Sequence, residues 1–245
     1  MSTRYLVFLH SLGFSQRSLV KIFDKDQDYE GFYHRLDSSL LKRLGLRDEK
    51  IASVLEKKMN LQEDVILETL AKWRVQIVTM HDARYPPLLR ETKIYPYFLY
   101  VRGNLQEDRP YFSIVGSRKS TPYSRTALEN IIPSLVSSGY GVVSGGAYGV
   151  DALAHGVTLD VSGYTVAVFG TGIDQYYPIK NRELFERILI SGGALVSTFP
   201  LGTGPEAFNF PVRNEIVAGV SQGVLVTEAG EKSGTLITAA LALDF

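Results

Sequence analysis

From Tyr111 onward one phrase repeats along the chain: a short apolar run, a turn of glycine, serine or threonine, then a helical pattern. The apolar runs fall at 111–115, 140–144, 164–169, 194–197 and 222–227, and the helical patterns at 121–138, 149–160, 180–191, 213–219 and 234–243. Strand–helix alternation of this kind predicts a mostly parallel sheet with helices on both faces, an α/β fold of Rossmann-like type. Ligands of such sheets bind beyond the carboxyl ends of the strands, so the turns there carry the functional question. The richest is Ser144-Gly145-Gly146-Ala147-Tyr148-Gly149, left through the helical residues Val150, Leu153, Ala154 and Val157. Strand, glycine turn and helix can present backbone N–H groups to a phosphate. Tight packing accounts for the same glycines. The spacing is not G-x-G-x-x-G, so a dinucleotide does not follow.

The other turns agree with this one. They are Gly116-Ser117-Arg118-Lys119-Ser120, Gly170-Thr171-Gly172-Ile173-Asp174 running on to Lys180-Asn181, Thr198 to Gly202, Phe210-Pro211-Val212-Arg213-Asn214, and Glu228 to Thr235. Charge sharpens the pattern. The chain has 26 cations and 26 carboxylates, yet residues 106–245 hold only 9 Lys/Arg against 13 Asp/Glu. Of those few cations, Arg118, Lys119, Lys180, Arg213 and Lys232 lie in the strand-end turns, with Arg182 beside them. Backbone donors, hydroxyls and a few cations on one rim suit an anionic ligand. Tyr148, Tyr176, Tyr177, Phe208 and Phe210 lie in or beside these turns. They serve either as stacking faces for nucleobases or as packing.

Residues 1–74 read as a small all-α domain. Apolar stripes run through Tyr5, Leu6, Leu9 and Leu12, then Leu19 to Phe23 after an N-cap at Ser15, then Leu36 to Leu44, Ile51 to Met59, and Val65 to Trp73. Helix, Gly13 turn, helix resembles a helix-hairpin-helix or SAM-like bundle, which contacts DNA phosphates, contacts proteins or simply packs. Residues 75–109 read as a linker with leading strands near 75–80 and 97–101 and a domain junction at 104–110. Residues 110–245 form the sheet domain.

Several chemistries find no support. There is no cysteine, and the histidines His10, His34, His81 and His155 lack metal-ligand spacing. No Walker A pattern occurs. No cofactor is expected. His155 and Asp151, four residues apart on one helix, read as a local structural pair. Asp174 braces its loop or receives a sugar hydroxyl, and Glu228 is the carboxylate best placed for acid–base work but has no second carboxylate at motif spacing. Binding, not bond cleavage, is the expectation. No signal-peptide pattern opens the chain and no run approaches the ~20 apolar residues of a membrane span, so a soluble, cytoplasmic protein is expected.

The ordered motifs Gly-Ser-Arg (116–118), Ser-Gly-Gly-Ala-x-Gly-Val-Asp-Ala-x-Ala-His (144–155), Gly-x-Gly-x-Asp-x-x-Tyr-Pro-x-x-Asn (170–181), Phe-Pro-x-Arg-Asn (210–214) and Glu-Ala-x-x-x-Ser-Gly-Thr-Leu-x-Thr-Ala (228–239) closely resemble the DNA-processing protein A family (DprA/Smf). The resemblance runs from about residue 81 to the end. It implies a SAM-like domain before a Rossmann-like domain, single-stranded DNA as ligand, RecA recombinase as partner in natural transformation, a homodimer, and no catalytic activity. It implies a phosphate pocket from Gly116, Ser117 and Arg118, with Lys180 beside Asn181, Arg213 with Asn214, and the glycine turn Gly145 and Gly146. Lys119 and Lys232 join this DNA-binding set from their place on the rim. Three departures stand out: Thr198 follows Ser197 where the family often has glutamate, Glu215 replaces a second arginine, and the sequence stops at Phe245 where the family continues. A truncated form with an open sheet edge is therefore expected, which leaves the dimer and the recombinase contact open. Two other readings remain. One is a nucleotide phosphoribohydrolase of the lysine-decarboxylase-like group, although its Pro-Gly-Gly-x-Gly-Thr-x-x-Glu signature is missing. The other is a module that senses a mononucleotide.

Overall fold

The computed structural model describes residues 3–230 and 234–244, which divide into two compact units, Met1–Trp73 and Arg74–Phe245. The first unit consists of α1 (Arg4–Ser11), α2 (Gln16–Phe23), α3 (Tyr29–His34), α4 (Ser38–Arg43), α5 (Asp48–Met59) and α6 (Glu63–Lys72). Local chemistry sets their ends. Gly13, at φ +93°, closes α1: its N–H donates to the His10 carbonyl and the Phe14 N–H to Leu9, the double bond of a left-handed C-cap. Ser15, Asp28 and Asp37 cap α2, α3 and α4 by accepting from Ser18 N, Gly31 N and Leu40 N. The interior is aromatic, with Tyr5, Phe8 and Tyr33 in mutual ring contact and Phe23 edge-on to Tyr29 and Phe32. Helix α3 lies outside the expected stripes, because six residues are too few for a periodic signal. Met59 and Val65, assigned to apolar stripes, are instead 80% and 52% exposed.

The second unit holds one seven-stranded sheet in the order β1-β2-β6-β5-β4-β3-β7. Its elements are β1 (Gln76–Thr79), α7 (Pro87–Glu91), β2 (Phe98–Gly103), β3 (Tyr111–Val115), α8 (Pro122–Ser137), β4 (Gly141–Ser144), α9 (Val150–Asp160), β5 (Thr165–Gly172), α10 (Arg182–Ile190), β6 (Ala194–Phe199), α11 (Asn209–Gly219), β7 (Val224–Val226) and α12 (Gly234–Asp244). Strands β6, β5, β4, β3 and β7 are mutually parallel, whereas β1 and β2 add an antiparallel edge. The junction expected at 104–110 therefore falls inside this unit. Tyr100 to Gly103 pair with Ser197 to Ala194, so residues 76–103 belong to the same sheet. The pairing partner lies about ninety residues away, where no local pattern reports it.

Side chains alternate across the sheet. Ile114 and Val142 face the core shared with Leu128 and Ile132 of α8 and with Val150, Ala154 and Val157 of α9. Their neighbours Val115 and Val143 face the opposite core, with Leu89 of α7, Ile216 and Val217 of α11, and Val220 just after it. Helices thus cover both faces, the Rossmann-like architecture. Helix α11 starts four residues before the expected 213 because Pro211 sits in its first turn, where its missing N–H has no helical partner to lose. Among the described residues no helix is long and apolar enough to cross a membrane.

Candidate nucleic-acid interface

Strand β3 is where the strand order reverses: α8 leads from it to β4 on one side, and β7 arrives on its other side after α11. The crevice at such a reversal, past the carboxyl ends of the strands, is where open α/β sheets place ligands. Here it is a cleft of about 430 Å³. Gly116, Ser117 and Arg118 after β3 form one wall, Gly145, Ala147 and Asp151 lie at the glycine turn, and Phe210, Arg213 and Asn214 come from the start of α11. The first turns of α12 close it with Gly234, Thr235, Ile237 and Thr238.

Glycine is required where these loops meet. Gly149 caps α9 at φ +74° and ψ −125°, a region that side chains avoid. A Cβ there would run into the Ser117 carbonyl and the Arg118 backbone. The contact is reinforced by the Val150 N–H, which donates to Ser117 O at 3.1 Å. The loop carrying Arg118 is thereby seated on the N-terminus of α9. Ser117 Oγ accepts from the Lys119 N–H at 3.1 Å, which fixes the turn around Arg118.

Arg213 is 5% exposed. Its Nη1 donates to the carbonyls of Gly145 and of Val168, the latter at 2.7 Å, and its Nε donates to Asn214 Oδ1 at 3.0 Å. The guanidinium lies so close to Gly145 that a Cβ there would overlap it. Its countercharge is Asp151, which accepts from the Ala147 N–H at 3.2 Å. Burial pushes the Asp151 carboxyl up, and the charge of Arg213 with amide donation from Ala147 pulls it back. Burial lowers Arg213, Asp151 opposes this, and the like charge of Arg118 adds to it. Arg118 itself is exposed. Its guanidinium lies over the Phe210 ring at 5.4 Å, that of Arg213 lies 5.9 Å from the same ring, and Tyr177 packs beside it at 5.7 Å. Two guanidinium groups thus share one aromatic ring at the rim of a cleft whose described lining holds a single, buried carboxylate, Asp151. That is an electrostatic invitation to an anion.

The remaining sequence-derived residues fall into three groups. Lys119 and Lys180 are exposed and lie outside the cleft lining. Asn181 donates from Nδ2 to the carbonyls of Gly146 and Ala147, at 3.0 and 3.2 Å, and so holds the glycine turn from behind. Lys232 lies outside the described residues. The local pairing expected between Asp151 and His155 gives way to separate partners. Thr165 Oγ1 spends its proton on the Val142 carbonyl, so the His155 ring donates from Nδ1 to Thr165 at 2.7 Å. The ring is fully buried, and burial together with Arg213 pushes its pKa down to about 3. Asp174 accepts from the Gly202 N–H, bracing two loops. Glu228 is committed to the start of α8, accepting from the Thr121 N–H at 2.9 Å and from the Thr121 hydroxyl, and these bonds hold its pKa below the ordinary value. Among the described residues no group of His, Cys, Asp and Glu is placed to hold a metal.

The cleft also contains residues beyond the sequence-derived set. Phe210 was visible only as one strand-end aromatic among several. Thr235 and Thr238 stand three apart in the Ser-Gly-Thr-Leu-x-Thr-Ala motif, spacing that puts both on one face of α12. Thr238 is 1% exposed, and its Oγ1 has no hydrogen-bond partner among the described residues.

Comparison with known proteins identifies relatives of the same architecture. The sequence profile of the family described as DNA recombination-mediator protein A matches residues 76–245. Protein Smf of Synechocystis sp. is 42% identical over 206 residues, which cover 82% of this chain and 52% of that protein. The chain therefore spans about half the length of that relative. The X-ray structure of DNA processing protein A from Streptococcus pneumoniae superposes with a TM-score of 0.81 at 30% identity, over 99% of this chain and 84% of that one. DNA processing protein A from Helicobacter pylori, whose structure addresses a single-stranded DNA binding mode, superposes with a TM-score of 0.60 at 28% identity, over 69% of this chain and 77% of that one.

Proposed function

This chain belongs to the DNA recombination-mediator protein A family, and on that premise we propose that it binds single-stranded DNA at the cleft beyond β3, β4 and β7. The observation that carries the reading is Arg118: an exposed guanidinium held over Phe210, next to the buried cation Arg213, on a loop seated by Gly149. Arg118 meets a backbone phosphate, Phe210 and Tyr177 offer faces to a base, and Lys119 and Lys180 extend the positive path outside the cleft. Arg213, Asn181 and the two glycines Gly145 and Gly146 hold the geometry from beneath. Gly116, Ser117 and Asn214 supply backbone and amide groups along the walls.

The role extends to handing bound DNA to RecA recombinase during DNA uptake, from a cytoplasmic homodimer. Binding without bond cleavage fits the carboxylates: Glu228 is engaged with Thr121, and Asp151 is buried against Arg213. The phosphoribohydrolase reading has no carboxylate free for the work among the described residues of the cleft.

The test is a salt titration of poly-dT binding, with complex mass measured by light scattering. Arg118→Ala is expected to weaken binding by about tenfold or more, the worth of a charge-assisted phosphate contact of ~1.5–3 kcal/mol. It is also expected to reduce the salt slope by roughly 0.7. Lys180→Ala, an exposed cation, is expected to cost only a few-fold. Equal affinity of wild type and Arg118→Ala would overturn the assignment. Mass tests the dimer, and RecA filament assembly on coated DNA tests the handover.

A further inference from the structure

The helical unit carries a groove that DNA binding leaves unused. It has a volume of about 300 Å³ and is lined by Phe14 after α1, by Ser18, Lys21 and Ile22 of α2, by Leu44 and Leu46 between α4 and α5, and by Lys50 and Val54 of α5, with Gly13 at one end. Its floor is apolar, and no carboxylate among the described residues lines it. Cations gather at the Gly13 end. A Cβ on Gly13 would lie 3.1 Å from Lys50 Nζ and 3.8 Å from Lys57 Nζ. Two ammonium groups therefore converge on the turn that ends α1, where the carbonyl end of the helix dipole is negative. Among the described residues neither these two lysines nor Lys21 has an ion-pair partner. Like charges brought together without a carboxylate repel one another, and an acidic ligand relieves that repulsion.

We infer that this groove docks an acidic, amphipathic peptide segment of a partner protein, its apolar side chains on Ile22, Leu44 and Leu46 and its carboxylates on Lys21, Lys50 and Lys57. Charge complementarity selects the acid, and the apolar floor selects a peptide over a nucleic acid. Residues 1–73 carry 12 Lys/Arg against 11 Asp/Glu, so the unit as a whole has no field that draws a polyanion along it. Its one ring at the floor, Phe14, is buried and offers no open face for base stacking. A short helix with apolar anchors and acidic flanks meets both requirements, in the manner of helix-in-groove recognition.

The experiment uses the full chain and short fluorescein-labelled peptides that share a central Leu-x-x-Phe pair and differ only in flanks of glutamate, glutamine or lysine. Fluorescence anisotropy at low salt is expected to rank them glutamate, glutamine, lysine, with about tenfold between the first two. The exposed pair K50E/K57E is expected to remove that preference and K50R/K57R to keep it, while both variants melt like wild type and bind poly-dT unchanged. The inference is overturned by peptides that bind without regard to flanking charge or not at all, or by a preference that survives K50E/K57E. Poly-dT binding that falls as far as peptide binding in K50E/K57E also overturns it, and assigns the surface to nucleic acid. Because Arg118→Ala acts only on the cleft, failure here and failure of the DNA-binding reading are read out separately.

Discussion

Arg213→Met separates a cation that braces the cleft from one that serves as its ligand. Methionine keeps most of the length of the side chain and removes the charge. The variant loses the Nη1 bonds to Gly145 and Val168 and the Nε bond to Asn214, and it leaves Asp151 buried beside no cation. Removing the countercharge of a buried carboxylate costs at most about 3–5 kcal/mol, the figure for one partner of a direct buried ion pair. The lower end applies here, because Asp151 keeps its amide donors and repulsion between Arg118 and Arg213 disappears. For a unit of this size about 3 kcal/mol corresponds to a melting shift of roughly 6–12 °C. Differential scanning calorimetry reads this directly, and the endotherm of the larger unit is the one expected to move. The double variant Asp151→Asn/Arg213→Met removes both charges and is expected to melt higher than Arg213→Met alone, with a coupling of about 1–2 kcal/mol. An Arg213→Met protein that melts within a degree or two of wild type yet no longer binds poly-dT would refute the reasoning and make Arg213 a direct phosphate ligand.

Other perturbations test neighbouring parts of the argument. Gly149→Ala places a Cβ against the Ser117 carbonyl at a backbone conformation that costs ~1–3 kcal/mol; it is expected to lower the melting temperature and to displace the Arg118 loop enough to weaken poly-dT binding, and unchanged values for both would count against loop seating. His155 has a native pKa of about 3 against an unfolded value of about 6.5, so the native state binds fewer protons. The stability it contributes is complete above about pH 6.5 and is lost by about 1.4 kcal/mol per pH unit as pH falls toward the native value; His155→Asn is expected to flatten that slope between pH 6.5 and 5, and an unchanged slope would exclude the ring as its source. Thr238→Val replaces a buried hydroxyl that has no partner among the described residues by an isostere and is expected to stabilise by about 1 kcal/mol, or roughly 2–4 °C; a lower melting temperature would mean that the hydroxyl has a partner.

Much of this protein is legible in one dimension. Short apolar runs, period-3.6 stripes and glycine turns are local signals, and β3, β4, β6, α8, α9 and α10 lie close to where those signals put them. The cluster of strand-end turns follows from the same alternation, because parallel strands joined by helices bring their carboxyl ends to one edge. Gly149 and Arg118 were marked by chemistry that short segments display: a backbone without a Cβ and a cation in an otherwise cation-poor half. Other features depend on partners far along the chain. Arg213 reads in sequence as one more rim cation, yet its carbonyl acceptors lie 68 and 45 residues away. The leading strands read as a linker until β2 finds β6. Thr235 and Thr238 become cleft residues only when α12 packs against α11. The amino-acid sequence thus determined most of the elements and the edge of the sheet where glycine turns and cations gather. Only the tertiary structure decided which of two similar arginines is buried as a brace and which is left exposed. Burial is a property of the assembled neighbours and not of the residue itself.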